Sequence, residues 1–244
     1  MTPKPDFKDV LVPSLLALLA IHTIAQFSGS MIGVIFAPHS GLNPVTYLAA
    51  NTIGLGIVYA MRSKYGISVE TTLKLWNADL HTALGKACKY LGLYFVFMVL
   101  LFAMAVLGCR LAVSMGLVDL ATLENIAAMY DADPLNGTAH FNFSFFDLAT
   151  LNIITFLLAP VFEEVIYRRF LYAWFRKRMS VLPSVIFGAL IFGLGHGIYF
   201  VQATIAGVFL CYFYEKERNL LINILVHIGI NICVTFLEAF PIFD

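Results

Sequence analysis

Four side chains in the C-terminal part of the chain could do chemistry together: Glu163, His196, His227 and Asn231. Glu163 opens "EEVIYR", His196 closes "FGLGH", and His227 begins "HIGIN". A carboxylate beside an imidazole can activate a water molecule as a general base. A second imidazole and an amide N–H can supply the donors that a tetrahedral oxyanion needs. The set therefore suits hydrolysis of an amide, and no Ser or Cys is placed as a nucleophile. One carboxylate and two imidazoles also match a three-ligand catalytic zinc site, Glu163, His196 and His227, although the spacing is not HExxH.

The surroundings make these residues expensive. All lie in apolar stretches, where a charge at the centre of a bilayer costs about 2.5–3.5 kcal/mol on insertion scales and is usually paired and functional. On a helix of 3.6 residues per turn, Glu164 and Arg168 stand at i,i+4 and can neutralise each other. Glu163 points about 100° away and is left for other work. Pro160, one turn earlier, removes a backbone hydrogen bond and can open the helix locally. Arg169 and Arg176–Arg178 suit a snorkelling flank.

Each group also has a plain structural reading. Glu164 with Arg168 can be an architectural brace. His196, one turn after Phe192 and flanked by Gly193, Gly195 and Gly197, can be a packing residue where helices approach closely. Asn223, His227 and Asn231 recur at i,i+4,i+8 and can be interhelical hydrogen-bonding groups. The brace does not account for the second acid. His22, His39, His81 and His140 fall outside these patterns, with His22, near Thr23 and Gln26, the one of interest.

The elements that must position these groups are membrane helices. The chain has 244 residues, 60% of them hydrophobic and only 12% charged. A soluble domain carries roughly a quarter charged residues. The 15 basic and 15 acidic residues balance, so no basic surface points to a nucleic-acid partner. Cys88, Cys109, Cys211 and Cys233 are scattered singly, which argues against a disulfide framework or a thiolate zinc site.

Apolar runs of spanning length fall near 10–36, 44–61, 89–111, 145–175, 182–197, 199–214 and 220–240. The first reads as a retained helix, without a small-residue cleavage site. Lys and Arg occupy alternate connections: Lys4 and Lys8, then Arg62 to Lys89, then Arg176–Arg178, then Lys216 and Arg218. That alternation puts the N-terminus in the cytoplasm and the C-terminus outside, with Arg110 the one exception. From Glu163 to the cytoplasmic arginines is about 20 Å along a helix, so the site should be buried. Leu73, Trp76, Leu80 and Leu84 share one face of an amphipathic helix at the interface. The outer connection 112–144 is acidic and carries turn signals, with "NGT" and "NFS" as accidental sequons unless the chain is secreted through a eukaryotic pathway.

The expected fold is therefore all-α: a polytopic membrane bundle of about seven transmembrane helices with one amphipathic interfacial helix. It forms a single membrane domain over 1–244, with accessory helices in 1–118 and the chemistry in a four-helix core at 145–240. There is no internal repeat and no second domain.

The order EExxxR, FxxxH, HxxxN on successive hydrophobic spans resembles the CPBP family of CAAX-processing and bacteriocin-processing (Abi) membrane proteases, which includes the type II CAAX prenyl endopeptidase. The resemblance covers roughly 145–240; the first three spans match only in being hydrophobic. It implies that Glu163 and His196 activate water, that His227 and Asn231 stabilise the oxyanion, and that Glu164, Arg168 and Phe192 support the site. It implies a glutamate-type enzyme without a cofactor, rather than the Zn2+ alternative.

The expected function is thus an intramembrane endopeptidase acting on a peptide, prenylated or membrane-tethered protein substrate from within the lipid bilayer. A bacterial cytoplasmic membrane is the expected location. Two rivals come from other classes. A proton or cation transporter could use Glu163, His196 and His227 as its path, but it predicts matched repeats or broken helices. A non-catalytic immunity or scaffold protein on the same fold would tolerate loss of Glu163.

Overall fold

The computed structural model describes residues 13–36, 44–65, 80–119, 121–122, 125, 154–196 and 199–239. Seven longer helical stretches run through these residues, and no strand occurs among them. They are α1 (Leu15–Phe36), α2 (Pro44–Ala60), α3 (Leu80–Ser114), α4 (154–176), α5 (Val181–Leu194), α6 (Phe200–Glu217) and α7 (Leu220–Ala239). Helix α3 is long and apolar enough to cross a membrane, while Leu48–Ala60, Val181–Leu194 and Leu220–Val234 are shorter apolar helices.

One boundary departs from the sequence expectation. Helix α3 starts at Leu80, not near 89, so the end of the expected amphipathic segment continues into the apolar helix without a break. Its earlier part, with Leu73 and Trp76, lies outside the described residues, as do His39, His140 and both sequons. The continuity has a visible cause. Ala83, Ala87, Tyr90 and Tyr94 recur every three or four residues and form one buried stripe that bridges the expected boundary. The opposite face leaves Val96, Leu100, Met104 and Leu107 exposed. Apolar exposure on that scale suits lipid rather than water.

Helix α4 is not a regular α-helix. It begins as a π-helix at Ile154–Leu158, is α-helical over Ala159–Glu163, widens again to a π-helix over Glu164–Tyr172, and closes as α-helix over Ala173–Arg176. Pro160 has no N–H to donate, and the turn just before it is the first widened one. The second widened stretch is surrounded: Glu164, Ile166, Tyr167, Arg168, Phe170, Leu171 and Tyr172 are all buried. It touches α1, α5, α6 and α7. A segment packed on every side has no face to give up to solvent. Such i→i+5 turns are rare and recur at functional sites.

Two of the apolar cores lie beside this helix. One joins Leu18, Ile21, Val58, Phe162, Phe170 and Phe192 from α1, α2, α4 and α5. The other joins Tyr90, Tyr94, Leu210, Phe213, Ile222 and Val226 from α3, α6 and α7. Small residues permit the closest approaches. A Cβ on Gly29 of α1 would lie 2.5 Å from the Ala50 Cβ of α2, and one on Gly54 would lie 2.3 Å from the Phe162 ring.

One end of the bundle is tied by charge. Glu215 accepts hydrogen bonds from Tyr172 Oη at 2.8 Å, Arg176 Nε at 2.9 Å and Arg218 Nη2 at 2.8 Å. Glu217 pairs with Lys86 Nζ at 2.7 Å and accepts from Tyr90 Oη at 2.5 Å. Arg218 ends α6 in the left-handed region, at φ 52°, and its Nε donates to the Glu215 carbonyl at 2.9 Å.

Candidate active site

The polar groups meet between α4, α5 and α7. Glu164 and Arg168 are fully buried, which demands partners because an unpaired ion in that setting costs several kcal/mol. Arg168 Nη1 lies 3.1 Å from Glu164 Oε1. The approach falls short of an aligned hydrogen bond, so charge rather than donor geometry holds the pair. The guanidinium also rests 4.3 Å from the Phe192 ring centroid, a cation–π contact.

Glu164 is held from the other side by α7. Asn223 Nδ2 donates to Glu164 Oε2 at 3.1 Å and to the Leu210 carbonyl at 2.7 Å. His227 Nδ1 stands 2.9 Å from Glu164 Oε1. Asn223 and His227 are one helical turn apart, so the polar stripe seen in the sequence closes on a single carboxylate.

Glu163 faces a different space. Its Oε2 lies 3.6 Å from His227 Nε2 and 4.0 Å from His196 Nε2. Its side chain keeps 23% of its exposure, against 0% for Glu164. Both distances exceed a direct hydrogen bond, so a water that meets all three atoms sits beside them rather than between them.

His196 is placed by the end of α5. Its backbone N–H donates to the Gly193 carbonyl at 2.8 Å, and its Nδ1 lies 2.8 Å from the Phe192 carbonyl. A carbonyl can only accept, so Nδ1 carries a proton, and in the neutral tautomer Nε2 is left as an acceptor facing Glu163. The same reasoning applies to His227, whose Nδ1 faces the Glu164 carboxylate. Gly193 is required here, because a Cβ would stand 2.0 Å from Thr204 Oγ1 and 2.8 Å from the Phe200 carbonyl of α6.

Phe192 is the hub of the aromatic packing. It meets His196 at 4.5 Å, Tyr167 at 5.1 Å and His227 at 5.7 Å between ring centroids. Asn231 follows His227 by one turn on α7 and is half-buried. The structure thus brings Glu163, Glu164, Arg168, Phe192, His196 and His227 together, with Asn231 on the same helix.

Asn223, which the sequence reading named in the polar stripe but left out of the expected site, bonds Glu164. His22, noted only for its polar neighbours in an apolar run, stacks on Phe162 at 6.4 Å and meets Tyr167 edge-on at 6.1 Å.

Zinc chemistry can be tested on these positions. The donor types suit the metal, and each imidazole has its Nδ1 occupied as a metal-bound histidine does. Tetrahedral ligands bound at 2.0–2.2 Å stand about 3.3–3.6 Å apart, so Glu163 and His227 at 3.6 Å have that spacing and His196 at 4.0 Å from Glu163 lies slightly outside it. Among the described residues no three His, Cys, Asp or Glu side chains are gathered to hold a metal ion.

Fold and site define an all-helical, apolar protein with a buried acid–imidazole centre. Residues 145–233 match the family model described as type II CAAX prenyl endopeptidase Rce1-like. The match covers 89 of the 244 residues, and this segment is similar to the CPBP/CAAX protease family. No curated protein and no solved structure matches the chain.

Proposed function

We propose that the chain is an intramembrane endopeptidase in which Glu163 is the general base. The observation that carries this reading is the convergence of Glu163 Oε2 with the Nε2 atoms of His196 and His227, at 4.0 and 3.6 Å. A water held beside these atoms gives one proton to the Glu163 carboxylate while its remaining O–H donates a hydrogen bond to His196 Nε2. The water oxygen then attacks the peptide carbonyl carbon. Glu163 afterwards passes its proton to the departing amine nitrogen as the C–N bond breaks.

The developing oxyanion needs donors. Asn231 supplies an amide N–H. His227 supplies a second donor once Nε2 carries a proton. Glu164 at 2.9 Å from Nδ1 stabilises that imidazolium, as the buried acid of a Ser–His–Asp triad does for its histidine. With His227 charged, the set Glu163, Glu164, Arg168 and His227 is electrically neutral, which lowers the cost of burying it. Glu164 and Arg168 hold His227 and Phe192 in place rather than touching substrate.

The substrate proposed is a membrane-tethered peptide, with a prenylated C-terminal CAAX sequence the first to try because of the matched family. Seven crossings with the N-terminus cytoplasmic are proposed with it. The alternating Lys and Arg support this orientation. So does the gathering of Lys86, Arg176 and Arg218 at one end of the bundle through Glu215 and Glu217.

The test uses purified protein in detergent and a fluorescence-quenched peptide ending in farnesyl-cysteine, two aliphatic residues and methionine. Wild type should cleave it, and Glu163→Gln and His196→Ala should not. Cleavage that survives in Glu163→Gln would sink the mechanism. Loss with chelator and recovery with zinc would replace it with metal catalysis.

A further inference from the structure

His22 lies on α1, far outside the segment that matches the protease family, yet it reaches the same site. Its ring is held by two residues that bracket Glu163 on α4: Phe162, at 6.4 Å and nearly parallel, and Tyr167, at 6.1 Å and edge-on. It stands within electrostatic reach of both Glu163 and His196. The wall that carries it is fixed. Phe162 is 1% exposed, and its ring fills the space left by the missing side chain of Gly54 on α2. Helices α1 and α2 are therefore locked to α4 at the residue just before the general base.

The Nδ1 atom of His22 is buried and has no hydrogen-bond partner among the described residues. The other imidazoles of the site differ. Nδ1 of His196 is engaged by the Phe192 carbonyl and Nδ1 of His227 by Glu164. A buried polar nitrogen without a partner is disfavoured, and such a group calls for an explanation such as an absent ligand. Neither ring around it bonds the nitrogen. A group that enters the site can, and on the endopeptidase reading the group that enters beside Glu163 is a peptide backbone, rich in both N–H donors and C=O acceptors.

Resting on the endopeptidase reading, we propose that His22 is a substrate-binding residue whose Nδ1 hydrogen-bonds the peptide backbone beside the scissile bond. Helices α1 and α2 then form a wall of the substrate site, and the functional unit extends beyond residues 145–233. The peptide lies between Phe162, Tyr167 and His22 on one side and His196 and His227 on the other. Lost ordering of the substrate should appear mainly in KM when His22 is removed, because the water-activating groups are untouched.

The choice of substitutions separates binding from packing. An Asn amide superposes its polar atoms on Nδ1 of a histidine, whereas Gln reaches towards Nε2 and Leu has neither. With the farnesylated peptide in detergent, His22→Asn should keep kcat/KM within about 3-fold of wild type. His22→Gln and His22→Leu should lower it about 10-fold or more, through KM, as expected for one lost hydrogen bond. Thermal unfolding of all three is measured alongside. An unchanged KM in His22→Leu overturns the proposal, as does an equal loss in all three variants that follows their loss of stability. Binding of the same peptide to Glu163→Gln, with and without His22→Leu, gives a readout that needs no turnover, and equal affinity overturns the proposal as well. If wild type cleaves nothing, the endopeptidase reading falls and this assignment with it. If wild type cleaves and Glu163→Gln does not, that reading stands whatever His22 does.

Discussion

His227 Nδ1 lies 2.9 Å from Glu164 Oε1, and both side chains are buried. That contact separates two acids that are adjacent in the chain. Glu164 is enclosed by Arg168, Asn223 and His227, while Glu163 has only loose approaches to two imidazoles. The first side chain is fully buried, and the second keeps 23% of its exposure.

Replacing Glu164 should therefore cost stability. Glu164→Gln leaves Arg168 as an uncompensated buried cation, a loss of about 3–5 kcal/mol. Arg168→Met should cost a similar amount. The double variant should recover about 2 kcal/mol or more relative to the sum, since neither charge is then left alone. Thermal or denaturant unfolding in detergent measures all three. Strict additivity would show that the 3.1 Å pair contributes nothing.

The neighbouring acid should behave in the opposite way. Glu163→Gln should reduce cleavage by 10²-fold or more, the range expected for a lost general base. Its unfolding midpoint should stay close to wild type, because the side chain is partly exposed and its nearest imidazole is 3.6 Å away. A large fall in stability with only a small fall in rate would make Glu163 a packing residue.

Much of this division was legible in the sequence. The i,i+4 spacing of Glu164 and Arg168 predicts their pairing, and the i,i+4,i+8 stripe of Asn223, His227 and Asn231 predicts a polar face on α7. What periodicity could not supply was the partner across the bundle, because a stripe says which face is polar and not what it meets. So Asn223 fell outside the expected site although it bonds the buried acid at 3.1 Å. The widened turns of α4 were foreshadowed only by Pro160, since an i→i+5 stretch leaves no repeat to read. The start of α3 was misplaced for a related reason: Lys86 and Lys89 marked a boundary by charge, while the buried stripe through Ala83 and Ala87 ran across it.

Gly54 and Gly56 test how the wall beside Glu163 is built. A Cβ on Gly54 would lie 2.3 Å from the Phe162 ring, whereas one on Gly56 meets nothing within 4 Å. Gly54→Ala should destabilise by about 1–3 kcal/mol, as overpacking does, and should also lower cleavage by moving Phe162. Gly56→Ala should be neutral or slightly stabilising from helix propensity. Equal behaviour of the two in unfolding and cleavage assays would mean that Phe162 does not lock α2 to the site.

Acid should loosen the charged end of the bundle through Glu215, which lies beyond the apolar stretch 199–214. Burial works to raise its pKa, but hydrogen bonds from Arg176 and Tyr172 and the charge of Arg218 outweigh this and hold it below the ordinary 4.5. A carboxyl with a folded pKa below its unfolded value takes up protons more readily when unfolded. Its contribution is complete above pH 4.5 and is lost as the pH falls from there through the depressed folded value. Unfolding midpoints measured from pH 7 down to pH 3 should fall more steeply in wild type than in Glu215→Gln, which is already weakened at neutral pH. Parallel profiles for the two proteins would show that this carboxylate does not bind α4 to α6.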